Sequence, residues 1–139
     1  MCTLVQLGAT VGVLHMAGVG DEGLLQEAAA RRVAWMPAPK AASAWHAHGA
    51  ALAVPLECLV LWSSVGAGLG NVGQASYACA NAWLDAHARS RRGGGGAASS
   101  AQWPLVGGAG MGAAAHAAAG ERQARIAGLA GISLEEYAW

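Results

Sequence analysis

At 139 residues the chain is one domain or a piece of one. Apolar residues make up 55%, enough for a core, which excludes a disordered chain. Eight basic residues balance eight acidic ones and charged residues are only 12%, so nothing marks a surface for nucleic acid or an anionic membrane.

So little charge leaves a surface of alanine and glycine, or one covered by further protein, and gives the first sign of a fragment. The three cysteines, Cys2, Cys58 and Cys79, are odd in number and lack metal-ligand spacing. They are expected as reduced thiols in an intracellular, cytoplasmic protein. The opening residues lack the basic start and long apolar stretch of a secretory signal. Apolar runs are broken well before ~18 residues, so no membrane-spanning helix is expected.

Residues 11–16 (VGVLHM), flanked by glycines, predict a buried strand. Residues 24–32 are rich in helix formers and end in two arginines, which suits a helix C-terminus. A second helix is expected over 39–52, with Pro39 in its first turn. Residues 56–64 (LECLVLWSS) centre on a second buried strand, and the glycine-rich 65–73 reads as a loop. A helix follows over 75–92, with Ala80, Trp83, Leu84 and His87 on one side, until the glycines 93–96 stop it. A third strand is expected over 98–103 and a loop over 104–112. Ser133 and Glu136 have the spacing of a capping box opening a last helix. Helices between short buried strands argue an α/β fold, a parallel sheet with helices on both faces.

Two patterns are set aside. Gly18, Gly20 and Gly23 match a dinucleotide fingerprint, but residues 38–48 lack the required acid, and Asp21 and Glu22 would repel a pyrophosphate. His46 and His48, two apart on a helix, do not converge, so no metal is expected. The remaining histidines and the arginines 89, 91 and 92 read as packing, surface or helix-end residues.

A better constellation is Lys40, Ser64, Tyr77 and Asn81. Ser64 falls at the carboxyl end of a strand, where open parallel sheets place their ligands. Tyr77 and Asn81 are four apart on a helix and share a face. A tyrosine hydroxyl is a poor acid near neutrality, but an ammonium such as Lys40 nearby would stabilise its anion and make it a usable proton donor. Ser64 could bind the same substrate oxygen. On spacing alone, a half-buried tyrosine and a solvated lysine remain the alternative.

The segments VLHMAGVGDEGLL, PAPKAASAWHAH and LVLWSSVGAGLGNVGQASYACANAWLDAHARSRR, followed by QWPLVGGAGM, resemble the ketoreductase domain of polyketide synthases and related fatty acid synthases. That family has a short-chain dehydrogenase/reductase, Rossmann-like fold. The likeness spans residues 11–112, leaving 1–10 unassigned and 113–139 as a C-terminal helical segment. It implies NADPH-dependent reduction of a β-ketoacyl thioester on an acyl carrier protein, among neighbouring synthase domains. By resemblance Tyr77 protonates the alkoxide, Ser64 binds its oxygen, Lys40 tunes Tyr77 and Asn81 completes the network. Ala17 and Gly18, with Lys40, would line the cofactor.

There are departures. Gly20-Asp21-Glu22 stands where many ketoreductases carry Leu-Asp-Asp, and Leu69 where others carry tryptophan, a combination closer to the Leu-Asp-Asp stereochemical class. Trp103-Pro104 replaces the usual Trp-Gly. The family's cofactor half has no counterpart upstream of residue 11, so this polypeptide alone is expected to bind NADPH poorly and to be inactive. A parallel sheet without its first three strands would also expose an apolar edge. The contrasting hypotheses are a non-catalytic remnant of such a synthase and a free-standing reductase of a small ketone.

Overall fold

Two apolar runs make the centre of the sheet. The computed structural model describes residues 2–7, 10–20, 23–24, 30–35, 37–52, 56–70, 73–106 and 132–138. Strands β2 (Thr10–His15) and β3 (Leu56–Ser64) lie side by side in parallel, Val13 paired with Leu59 and His15 with Leu61. β1 (Cys2–Leu7) runs antiparallel to β2, from Cys2 opposite His15 to Leu7 opposite Thr10. β4 (Ser99–Trp103) completes the order β1-β2-β3-β4. Sequence pattern assigns nothing to residues 1–10. The backbone of residues 2–7 nevertheless pairs antiparallel along the edge of β2 that was expected to be bare.

Along β3 burial alternates with the period of a strand: Leu59, Leu61 and Ser63 are buried and their neighbours are not. Leu59, Leu61 and Val13 pack against Ala44 of α2 (Ser43–Ala51) and against Leu84 and Ala88 of α4 (Ala75–Gly93). Both helices therefore cover one face of the sheet. Cys58, Val60 and Trp62, pointing the other way, are half-buried.

Within α4 the inward row is Ala80, Leu84 and Ala88, joined by Asn81, Asp85 and His87; Trp83 stays half-buried. The helix ends where Gly94 donates its N–H to the Ser90 carbonyl (3.1 Å) and Gly95 takes φ +82°, a conformation that costs glycine nothing.

Several boundaries differ from expectation. In place of a helix over 24–32 the described helix is α1 (Ala30–Trp35), with residues 25–29 outside the described residues. The helix expected from residue 39 opens as a π-helical turn (Ala38–Ala42) before α2. Its Ala42 N–H reaches back five residues to the Pro37 carbonyl at 3.3 Å. The loop over 65–73 contains a single-turn helix, α3 (Gly66–Leu69). No helix among the described residues is long and apolar enough to cross a membrane.

By backbone proximity the chain forms two compact units, Met1–Gln102 and Trp103–Trp139. The second contains α5 (Leu134–Ala138), opened by the expected capping box. The Ser133 N–H donates to Glu136 Oε2 (2.7 Å) and the Glu136 N–H to Ser133 Oγ (3.1 Å).

In the first unit Asp85 ties α4 to β4. Its two carboxylate oxygens accept from Ser100 Oγ at 2.6 Å and Gln102 Nε2 at 2.7 Å. Bonds to a buried charged acceptor are worth about 1.5–3 kcal/mol each. Asp85→Ala is therefore expected to lower the free energy of unfolding by about 2 kcal/mol or more, read as a drop in the urea midpoint with little change in slope.

Candidate active site

Because β2 and β3 are parallel, their carboxyl ends share one edge of the sheet, and the sequence-selected residues gather there. Ala17 and Gly18 follow β2, and Ser64 ends β3. Tyr77 and Asn81 occupy the first turns of α4, and Lys40 sits on the π-helical turn.

Lys40 is the only lysine in the chain and is 4% exposed. Its Nζ donates to the Trp62 carbonyl at 2.9 Å and lies 5.6 Å from the centroid of the Tyr77 ring, over its face. Burial disfavours the charged form and pushes its pKa down to about 8.

Gly18 makes this seat possible. A Cβ there would come within 2.8 Å of Lys40 Cε and 3.3 Å of Nζ, so the lysine stem occupies the space a side chain would need.

Asn81 is fully buried. Its amide donates to the Tyr77 carbonyl one turn back (2.9 Å), and its own carbonyl accepts from Ser63 Oγ (3.2 Å). Asn81 Oδ1 is buried with no hydrogen-bond partner. Ser64 Oγ accepts from the Gly66 N–H at 3.2 Å, which leaves its own O–H free to donate elsewhere.

Sequence reasoning set His15 aside as a packing residue and did not single out Ser43. Both lie beside Lys40: His15 Nε2 is 2.6 Å from Ser43 Oγ, and Ser43 Oγ is 3.3 Å from the Lys40 carbonyl. No pattern links positions 28 apart before the fold is known. The other described histidines lie elsewhere. His48 Nδ1 accepts from Arg91 (2.7 Å), which takes that arginine beyond a helix-end role, and His87 stacks on Trp83 at 4.9 Å. Asp21 and Glu22, of the departure from Leu-Asp-Asp, lie outside the described residues; Leu69 is exposed on α3.

The profile of the KR domain matches residues 4–108. This chain belongs to the ketoreductase family of polyketide synthases. It is 44% identical over 124 residues to the spectinabilin polyketide synthase system protein NorB of Streptomyces orinoci, covering 89% of this chain and 6% of NorB. It is 37% identical over 132 residues to the 6-methylsalicylic acid synthase of Aspergillus niger, covering 95% of this chain and 7% of the synthase.

Among solved structures, A-type ketoreductases of a modular polyketide synthase align at TM-score 0.68 and 37% identity, over 71% of this chain and 21% of theirs. The first ketoreductase of the tylosin synthase aligns at TM-score 0.67 and 38% identity, over 70% of this chain and 22% of its own. The ketoreductase LanV, solved with bound NADP, shares the fold at 20% identity and TM-score 0.61. The sheet is thus the Rossmann-like sheet of this family. The chain spans about a fifth of these two modular-synthase ketoreductase chains, 40% of LanV, and a far smaller share of the synthases.

A pH dependence of the ketoreductase segment follows from the buried lysine. In the unfolded chain Lys40 keeps its proton up to about 10.5, whereas in the folded chain it loses it near 8. Between those values the unfolded state binds more protons, so stability rises with pH. From pH 8 to 10 the urea midpoint is expected to rise through this group, and in Lys40→Met that part of the rise should vanish.

Proposed function

We propose that this segment supplies the proton-delivering side of a β-ketoacyl-thioester reductase. The substrate is a β-ketoacyl chain carried by an acyl carrier protein, and the enzyme works among the neighbouring domains of a cytoplasmic polyketide synthase. The observation that carries this reading is the position of the sole lysine, drawn out of water between the Trp62 carbonyl and the Tyr77 ring.

When bound, NADPH supplies the hydride for the β-carbonyl carbon. The residues at the strand ends fit such a cofactor. Ala17 and Gly18 offer a stretch of nearly bare backbone at the carboxyl edge of the sheet, where nucleotide cofactors lie in open α/β folds, with Lys40 packed directly behind.

As the carbonyl oxygen gains negative charge, Ser64 donates its free O–H to it and Tyr77 transfers its phenolic proton. The Lys40 ammonium favours the tyrosinate left behind and, with a pKa near 8, holds a proton that it can also release. Asn81 fixes the first turn of α4 by its bond to the Tyr77 carbonyl. Its unpartnered Oδ1 offers a buried acceptor for a water or ammonium that would restore the proton to Tyr77.

In a complete ketoreductase domain containing this segment, Tyr77→Phe is expected to reduce turnover of a β-ketoacyl thioester at least a hundredfold, the scale of a lost general acid, with NADPH affinity nearly unchanged. Undiminished turnover in that variant ends the assignment. Gly18→Ala has a separate expected outcome. The added methyl displaces the flexible end of Lys40 rather than backbone, so the domain stays folded while turnover falls about tenfold or more.

A further inference from the structure

We propose that His15 and Ser43 are positioning residues, a hydrogen-bonded pair of one buried and one half-buried side chain that locks the π-helical turn and thereby aims Lys40 at the Tyr77 ring. Only the catalytic meaning of Lys40 rests on the reductase reading; the lock stands on geometry.

A π-helical turn is a rare way to begin a helix, and its widened backbone is held here partly by side chains. Here Ala41 and Ala42 both donate to the Pro37 carbonyl, and the Ser43 N–H lies on the carbonyls of Ala38 and Lys40. Pro39 has no N–H, so it donates nothing to the turn. The Ser43 side chain supplies what is missing: its hydroxyl donates to the Pro39 carbonyl and lies 3.3 Å from that of Lys40. It braces the peptide groups on both sides of the lysine.

A hydroxyl has one proton. With that proton on the Pro39 carbonyl, Ser43 Oγ accepts from His15, 2.6 Å away. This fixes His15 as the tautomer with hydrogen on Nε2. Its Nδ1 is buried without a hydrogen bond, and the residue's own backbone carbonyl gives a second proton only a weak, opposing stabilisation. Burial foremost, and then the Lys40 charge, lower the His15 pKa in the same sense. His15 is thus a neutral donor, fully buried at the end of β2. Its ring carries the position of the central sheet into the turn that bears the lysine. Among the described residues the groups facing Lys40 are His15 from β2, the Trp62 carbonyl from β3 and the Tyr77 ring from α4.

Since Lys40 is the only lysine, its titration can be followed in the full 139-residue chain by NMR of the labelled Cε and Nζ. In the native sequence the midpoint is expected near 8. Ser43→Ala and His15→Leu should each raise it by roughly one pH unit or more, as the released ammonium regains water. Ser43→Thr, which keeps the hydroxyl, and His15→Gln, whose amide can donate from the place of Nε2, should restore it to within about 0.3 unit.

Alanine is favourable within a helix, so the Ser43→Ala chain is expected to fold, and it decides the matter should His15→Leu not fold. A folded Ser43→Ala chain with the native midpoint overturns the proposal, as does a shift that threonine fails to reverse. No turnover is read, so an active Tyr77→Phe enzyme, which ends the reductase reading, leaves this result intact.

Discussion

The site is organised around the cost of hiding one ammonium group. Moving a charged amine out of water is expensive unless its donors find acceptors and its charge finds a polarisable neighbour. Lys40 is given both, the Trp62 carbonyl on one side and the face of an aromatic ring on the other. The compensation is incomplete, which is why its proton leaves more than two pH units early. Other features of the strand edge follow from making this seat. Residue 18 has no side chain because the lysine stem fills that space, and the helix bearing Lys40 opens as a widened turn. α4 then brings Tyr77 over the group with its first turn tied down by Asn81.

Much of this arrangement was legible in the residues. The apolar runs VGVLHM and LECLVLWSS specify two strands, the second burying one face rather than both, and of Ala80, Trp83, Leu84 and His87, expected on one side of α4, all but Trp83 are buried. The set of Lys40, Ser64, Tyr77 and Asn81 is visible because a parallel sheet sends strand ends to one edge. What was not legible depends on contacts between distant positions. Propensity cannot separate a π-helical turn from an α-helix, since the same alanines and proline suit both; the difference lies in where Ser43 sends its hydroxyl. Nor can it find the partner of His15, which is 28 positions away. Residues 1–10 escaped for another reason. A lone edge strand has no turn or helix of its own to announce it, and only pairing with β2 gives it definition.

The glycines show how composition can mislead. Gly18, Gly20 and Gly23 reproduce the letters of a phosphate-binding turn, yet Gly23 gives its N–H to the Gly73 carbonyl at 3.0 Å, and the first described helix after it starts at Ala30. The motif's chemistry needs free amides at a helix N-terminus. At Gly23 that amide is already spent, while Gly18 serves the lysine instead. Glycine here is an instrument of close approach, not a phosphate cradle.

Fold and chemistry are joined most tightly at Asn81. It sits in the core row of α4, and its backbone holds Ser63 of β3. An apolar residue of the same size would fill the space without leaving a buried acceptor unsatisfied, a defect worth about 1–3 kcal/mol. Under the proposed chemistry that defect acquires a use, because a buried acceptor without a protein partner can hold a proton-bearing water or ammonium. The same reasoning applies to Ser64, whose oxygen is engaged by Gly66 while its proton stays uncommitted. Lys40, Asn81 and Ser64 each retain an unspent capacity, one charge poorly solvated, one lone pair unfilled and one proton unassigned. Under the proposed chemistry the lysine charge and the serine proton suit an oxygen that gains negative charge, while the asparagine lone pair takes the proton-bearing water or ammonium.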